Sequence, residues 1–127
     1  MINMTEGINA LGKQLIIDAW GCKNLDNDDL VKKMLEESAK ACHATLLSVH
    51  THLFAPQGVS GVAIIAESHI SIHTWPEHSY AAIDIFTCGK DVEPYNAMGV
   101  IKRIFSPEKM TLSEIKRGVP EDESENE

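Results

Sequence analysis

Basic residues are scarce in this 127-residue chain: 11 Lys and Arg stand against 19 Asp and Glu, for a formal net charge of −8. Such a surface repels phosphate backbones and anionic headgroups, which argues against nucleic acid or an anionic membrane as the main partner. It suits a cationic or zwitterionic small molecule. Cysteine is also sparse. Cys22, Cys42 and Cys88 are odd in number and form no Cys-x-x-Cys pair, so no disulfide framework is in view and a reducing compartment is expected. No apolar run approaches the length of a membrane span, and the N-terminal "MINMTEGINALGKQ" lacks a signal-peptide pattern. A cytoplasmic protein is expected. No internal repeat and no linker break the chain. Its length allows one domain with one modest core, expected over residues 1–120. The terminal "EDESENE" (121–127) is acidic and polar with no apolar anchor, and is expected to be a disordered tail.

What the chain does contain is alternation. "KQLIIDAWGC" (13–22) is a short apolar run ending near Gly, a first strand. Asn27, Asp28 or Asp29 can cap "DLVKKMLEESAKACH" (29–43), where Leu30, Met34, Leu35, Ser38 and Ala41 recur at helical spacing. "ATLLSVHTHLF" (44–54) returns to strand character, and "APQGVSG" (55–61) breaks it. "VAIIAES" (62–68), "HISIHTW" (69–75) and "YAAIDIFTC" (80–88) read as three more strands. "EPYNAMGVIKRIF" (93–105) is a second amphipathic helix that stops before Pro107, and "KMTLSEIKRG" (109–118) is a last strand. The pattern predicts an α+β fold: a two-layer α/β sandwich with a mostly antiparallel sheet and two helices on one face.

The second sheet face then needs an occupation. In "HISIHTW", Ile70 and Ile72 point to one side while His69, Ser71, His73 and Trp75 point to the other. A polar, aromatic sheet face in so small a protein is a ligand floor, a dimer interface, or both. One reading of the histidines is a non-enzymatic metal-binding protein, since His50 and His52 share a strand face and His69, His73, His78 and Cys88 follow nearby. No pair of them has the compact spacing of a structural zinc site, and that reading leaves Ser68, Trp75 and Glu77 without a part.

The ordered motifs "PQGVSGVAIIA" (56–66), "ESHISIHTWPE" (67–77) and "AAIDIFTCG" (81–89) resemble those of the small prokaryotic, pyruvoyl-dependent S-adenosylmethionine decarboxylases. The resemblance runs from about Gly12 to about Gly118 and is most specific between Phe54 and Gly89. It implies self-cleavage between Glu67 and Ser68 into chains 1–67 and 68–127. Ser68 would become a covalent pyruvoyl group, which forms a Schiff base with the substrate. Loss of CO2 leaves a carbanion that needs an electron sink; pyridoxal phosphate is the usual one, and no lysine here sits in a recognisable context for it. His73 would be the acid–base group of processing, a role suited to a side chain titrating near neutrality, and Ser60 would assist near the scissile bond. Cys88 would protonate the substrate carbon after CO2 leaves, through a thiol proton that is labile near neutral pH.

The same resemblance makes Phe54 an adenine-stacking residue, a type of contact worth roughly 1–3 kcal/mol per base. Trp75 extends that aromatic surface, and Glu77 would bind the ribose diol through its two carboxylate oxygens. No metal is implied. The implied product is decarboxylated S-adenosylmethionine, the aminopropyl donor of spermidine synthesis. The implied assembly is a homodimer with each site at the subunit boundary, Phe54 reaching in from the neighbour. A pyruvoyl-dependent arginine or ornithine decarboxylase of the same fold is the alternative, because the processing residues act on any α-amino acid.

Overall fold

The structure is a computed structural model and describes residues 10–120; the expected acidic tail lies outside the described residues. Six strands run through it: β1 (Gly12–Trp20), β2 (Thr45–Leu53), β3 (Val59–Ala66), β4 (Ser68–Trp75), β5 (Tyr80–Thr87) and β6 (Lys109–Arg117). Two helices, α1 (Asp28–Ala41) and α2 (Ala97–Phe105), complete the fold. All neighbouring strands are antiparallel, in the order β2-β3-β4-β5-β1-β6.

Alternation along each strand sets the core. Leu15, Ile17 and Ala19 of β1 lie opposite Ile85, Ile83 and Ala81 of β5, and Ile70 and Ile72 of β4 meet the same Ile85 and Ile83 from the other side. These rows are fully or almost fully buried. They form one cluster with Val31, Met34 and Leu35 of α1 and with Ile101 and Phe105 of α2, so both helices cover the same sheet face. Gly61 of β3 permits the close approach of α1: a Cβ there would fall 2.9 Å from Leu35 Cδ1. Among the three candidate caps, Asn27 closes α1, its Oδ1 accepting from Leu30 N–H at 3.0 Å, while Asp28 and Asp29 in the first turn complement the helix dipole.

The α+β sandwich expected from the pattern is therefore present, with local differences. The third strand begins three residues earlier than the sequence pattern indicates, because Val59 and Ser60 already pair with Leu53 and His52 of β2. It also ends earlier. Ile65 pairs with Ser68, so the chain reverses through Glu67, and Ser68 opens β4 rather than closing β3. The second helix starts late: Pro94–Asn96 form a 3-10 turn, and regular helix begins at Ala97. Among the described residues no helix is long and apolar enough to cross a membrane.

Phe105 is the largest fully buried side chain, and its ring joins α2 to the sheet within the common core. Phe105→Ala should cost about 3–5 kcal/mol by transfer and cavity formation together, measured by urea unfolding. A loss under about 1 kcal/mol would mean that the helix layer is not packed as described.

Candidate active site

The sheet face away from the helices carries His69, Ser71 and His73 of β4, with Ser60 of β3 and Asp84 and Phe86 of β5 paired to them. Two groups of side chains stand out, at opposite ends of β4. The first is built where β4 begins and β5 ends. His69 pairs with Phe86, which brings Ser68 alongside Thr87 and Cys88. Ser68 Oγ lies 2.7 Å from the carbonyl oxygen of Glu67, toward which its hydroxyl can donate, and 3.2 Å from Cys88 Sγ. A cavity of about 550 Å³ opens beside Cys88, lined among others by Gly12, Lys13, Thr87, Lys90 and Glu93.

The second group is built on the row that crosses β2, β3 and β4. His52 pairs with Ser60 and Ser60 with His73, and Ser60 Oγ meets His73 Nδ1 at 2.8 Å. A cavity of about 310 Å³ lies over this row, lined by His50, His52, Ser60 and His73. Phe54 sits just beyond β2 with its ring 4.5 Å from that of His52, edge to face. Trp75 ends β4 beside His73, their ring centres 6.4 Å apart, and Glu77 follows in the exposed 3-10 turn Pro76–His78. Phe54 and Trp75 remain 47% and 40% exposed, so both rings have a surface free for stacking.

The structure therefore brings Glu67, Ser68 and Cys88 together, and separately Ser60, His73, Phe54, Trp75 and Glu77. It does not bring the two groups together within one chain. Ser68 and His73 are five residues apart on one strand, roughly 16 Å at about 3.3 Å per residue. The loose histidine cluster also resolves: among the described residues no three His, Cys, Asp or Glu side chains group as metal ligands.

One feature of this face goes unread in the sequence. Trp75 stacks on Tyr80 at 5.4 Å, and Tyr80 packs on Trp20 at 4.3 Å. Tyr80 donates its hydroxyl hydrogen to Asp18 Oδ1 at 2.5 Å. That carboxylate, together with burial, pushes the phenol up to about 12, so it remains a donor. The signal was available in the alternation: Trp20 and Tyr80 occupy the phase opposite Ala19 and Ala81.

One sheet face is thus bare, and on it a serine hydroxyl stands against the carbonyl of its own neighbour with a thiol next to it. Residues 13–118 match the sequence model of S-adenosylmethionine decarboxylase. The chain is 53% identical over 113 residues (87% of this chain, 93% of the relative) to an S-adenosylmethionine decarboxylase proenzyme of Methanococcus maripaludis strain C7. It is 47% identical over 114 residues (88% and 92%) to the protein of the same name from Thermoanaerobacter pseudethanolicus. The crystal structure of the adenosylmethionine decarboxylase from Aquifex aeolicus VF5 superposes with a TM-score of 0.81 at 34% identity, covering 90% of this chain and 96% of that one. The chain belongs to the S-adenosylmethionine decarboxylase family.

The three thiols differ in setting. Cys22 and Cys42 are buried, and burial pushes each up to about 11; Cys88 is only partly buried. Because the thiolate is the reacting form, iodoacetamide at pH 8 should modify Cys88 in the native protein and spare Cys22 and Cys42. Peptide mapping checks this, and equal labelling of all three would contradict the site's geometry.

Proposed function

We propose that this chain is a proenzyme that cuts itself between Glu67 and Ser68, turns Ser68 into a pyruvoyl group and decarboxylates S-adenosylmethionine. The observation that carries the reading is the position of Ser68 Oγ, 2.7 Å from the Glu67 carbonyl oxygen and 3.2 Å from Cys88 Sγ. In processing, Ser68 Oγ bonds to the Glu67 carbonyl carbon as the peptide C–N bond breaks, leaving an ester and a free amine. Removal of the Ser68 α-proton expels Glu67 as a carboxylate and leaves dehydroalanine. Hydrolysis of that residue releases ammonia and leaves the pyruvoyl group at the head of chain 68–127.

The residues present fit such a group. Ser68 is the first residue of β4, so a new chain end there disturbs no interior ladder, and the Cys88 thiol already stands against its side chain. The pyruvoyl carbonyl supplies the electron sink for decarboxylation. Cys88 Sγ holds the proton that the substrate carbon takes up. Phe54 and Trp75 offer stacking faces to adenine, and Glu77 offers two acceptors to the ribose diol. Arginine and ornithine have no use for that nucleoside end, and the relatives at 53% and 47% identity carry the S-adenosylmethionine name. The product would be the aminopropyl donor of spermidine synthesis, made in a reducing cytoplasm that keeps the three thiols free.

Ser60 and His73 are assigned to the Ser68 of a second copy. On its own chain His73 stands roughly 16 Å from Ser68 along β4, with Ser60 paired to it on β3, too far for proton transfer, which needs contact or one bridging water. A homodimer joined through the bare sheet faces would supply the missing half to each site.

Intact mass measurement and CO2 release from carboxyl-labelled substrates test the reading. The native protein should give fragments 1–67 and 68–127 and release CO2 from S-adenosylmethionine but not from arginine or ornithine. Ser68→Ala should remain one inactive chain, and His73→Ala should cut slowly. Cys88→Ala should cut normally yet lose roughly 100-fold or more in turnover, the scale of a lost acid–base group. Two fragments from Ser68→Ala, or CO2 from arginine alone, would contradict the proposal.

A further inference from the structure

The residues given to the nucleoside end lie at strand ends and in turns, where the chain has the least support of its own. One loop, residues 21–27 between β1 and α1, ties them down. Cys22 N–H donates to Ser79 O at 2.9 Å, just beyond the turn that carries Glu77. The buried Thr74 hydroxyl donates to Leu25 O at 2.8 Å and accepts from Val59 N–H at 2.8 Å. Asp26 reaches furthest: its Oδ1 accepts from Gly58 N–H at 2.7 Å. Gly58 O in turn accepts from Phe54 N–H at 2.7 Å, which closes the loop that bears the Phe54 ring. Gly58 has φ +106°, and a Cβ on it would stand 3.3 Å from Thr74 O. That conformation leaves its N–H pointing at the carboxylate.

We infer that Asp26 is a positioning residue for Phe54 and thereby sets the affinity for the nucleoside part of the substrate. The inference rests on the adenosyl reading of Phe54 given above. Asp26 is not the cap of α1, because that place is taken by Asn27, whose oxygen already accepts from Leu30 N–H. Its bond instead leaves its own segment and crosses to the Phe54 loop, 32 positions along the chain. A charge-assisted bond to a backbone N–H is stronger than a neutral one, so two bonds in series fix where the ring stands. The carboxylate is engaged with Gly58 N–H, at the Phe54 end of the sheet and away from Ser68. Processing and turnover should therefore be indifferent to it, while binding should not.

Steady-state kinetics with S-adenosylmethionine test this. Asp26→Ala should raise KM roughly ten-fold, the effect of losing one charge-assisted bond, while kcat stays within about two-fold and self-cleavage runs at the native rate. Asp26→Asn keeps an acceptor oxygen in place without the charge and should bring KM most of the way back, to within about three-fold of native. Asp26→Ser leaves its oxygen short of Gly58 N–H, so it should raise KM as alanine does and carries the test if the alanine chain fails to accumulate. Placed in a Phe54→Ala background, Asp26→Ala should add no further rise in KM, because the ring it positions is gone. A raised KM for Phe54→Ala beside native values for Asp26→Ala and Asp26→Ser would overturn the inference alone. Additive effects of the two substitutions, or a fall in kcat matching the rise in KM, would overturn it as well. A native KM for Phe54→Ala would remove the nucleoside reading and the inference with it.

Discussion

The register of β4 between β3 and β5 is the constraint on which the rest depends. Ile70 and Ile72 must face the helices, opposite Ile85 and Ile83, because the side-chain period of a strand is two and only one face of this sheet is covered. A slip of one residue would put both isoleucines in water and His69, Ser71 and His73 in the core, a cost no neighbour offsets. With that register held by the core, the chemistry follows. Ser68 falls beside Cys88 at one end, and His73 falls beside Ser60 at the other.

The same register keeps the two ends apart. A strand is a stiff spacer, and no side-chain rotation closes roughly 16 Å. The candidate site residues thus sit in two groups on a face that the helices leave uncovered. Trp20, Phe54, Ile64 and Trp75 also stay exposed on or beside that face, and large apolar side chains gathered on one surface are a mark of interaction sites. Distance and exposure are explained together if two copies meet face to face and exchange halves.

Much of the fold was legible in the sequence. Alternation in "HISIHTW" identified the buried and bare faces residue by residue, since hydrophobic burial acts on each position locally, and "YAAIDIFTC" was legible as a strand. The helices were legible too, with Asn27 among the candidate caps. Turn positions were harder. "VAIIAES" continues to look like strand through Ser68, and only the pairing of Ile65 with Ser68 moves the reversal to Glu67. The candidate site residues could be named from their motifs, but their division into two groups could not, because sequence spacing does not show how far apart the motifs stand on the sheet. The Asp26–Gly58 tie spans 32 positions, and no local pattern announces such a bond. Trp20 and Tyr80 could have been read from strand phase, yet their contact depends on the β1–β5 pairing.

The central claim is that each Ser68 is processed with Ser60 and His73 from the other chain. Co-expression of a His73→Ala chain with a differently tagged Ser68→Ala chain, followed by intact mass measurement of the isolated mixed dimers, tests it most directly. The His73→Ala chain keeps its own Ser68 and would borrow His73 from its partner. The account predicts that it cuts at close to the native rate in mixed dimers and slowly in its own homodimers. Cutting that remains slow in proven mixed dimers would contradict the shared site.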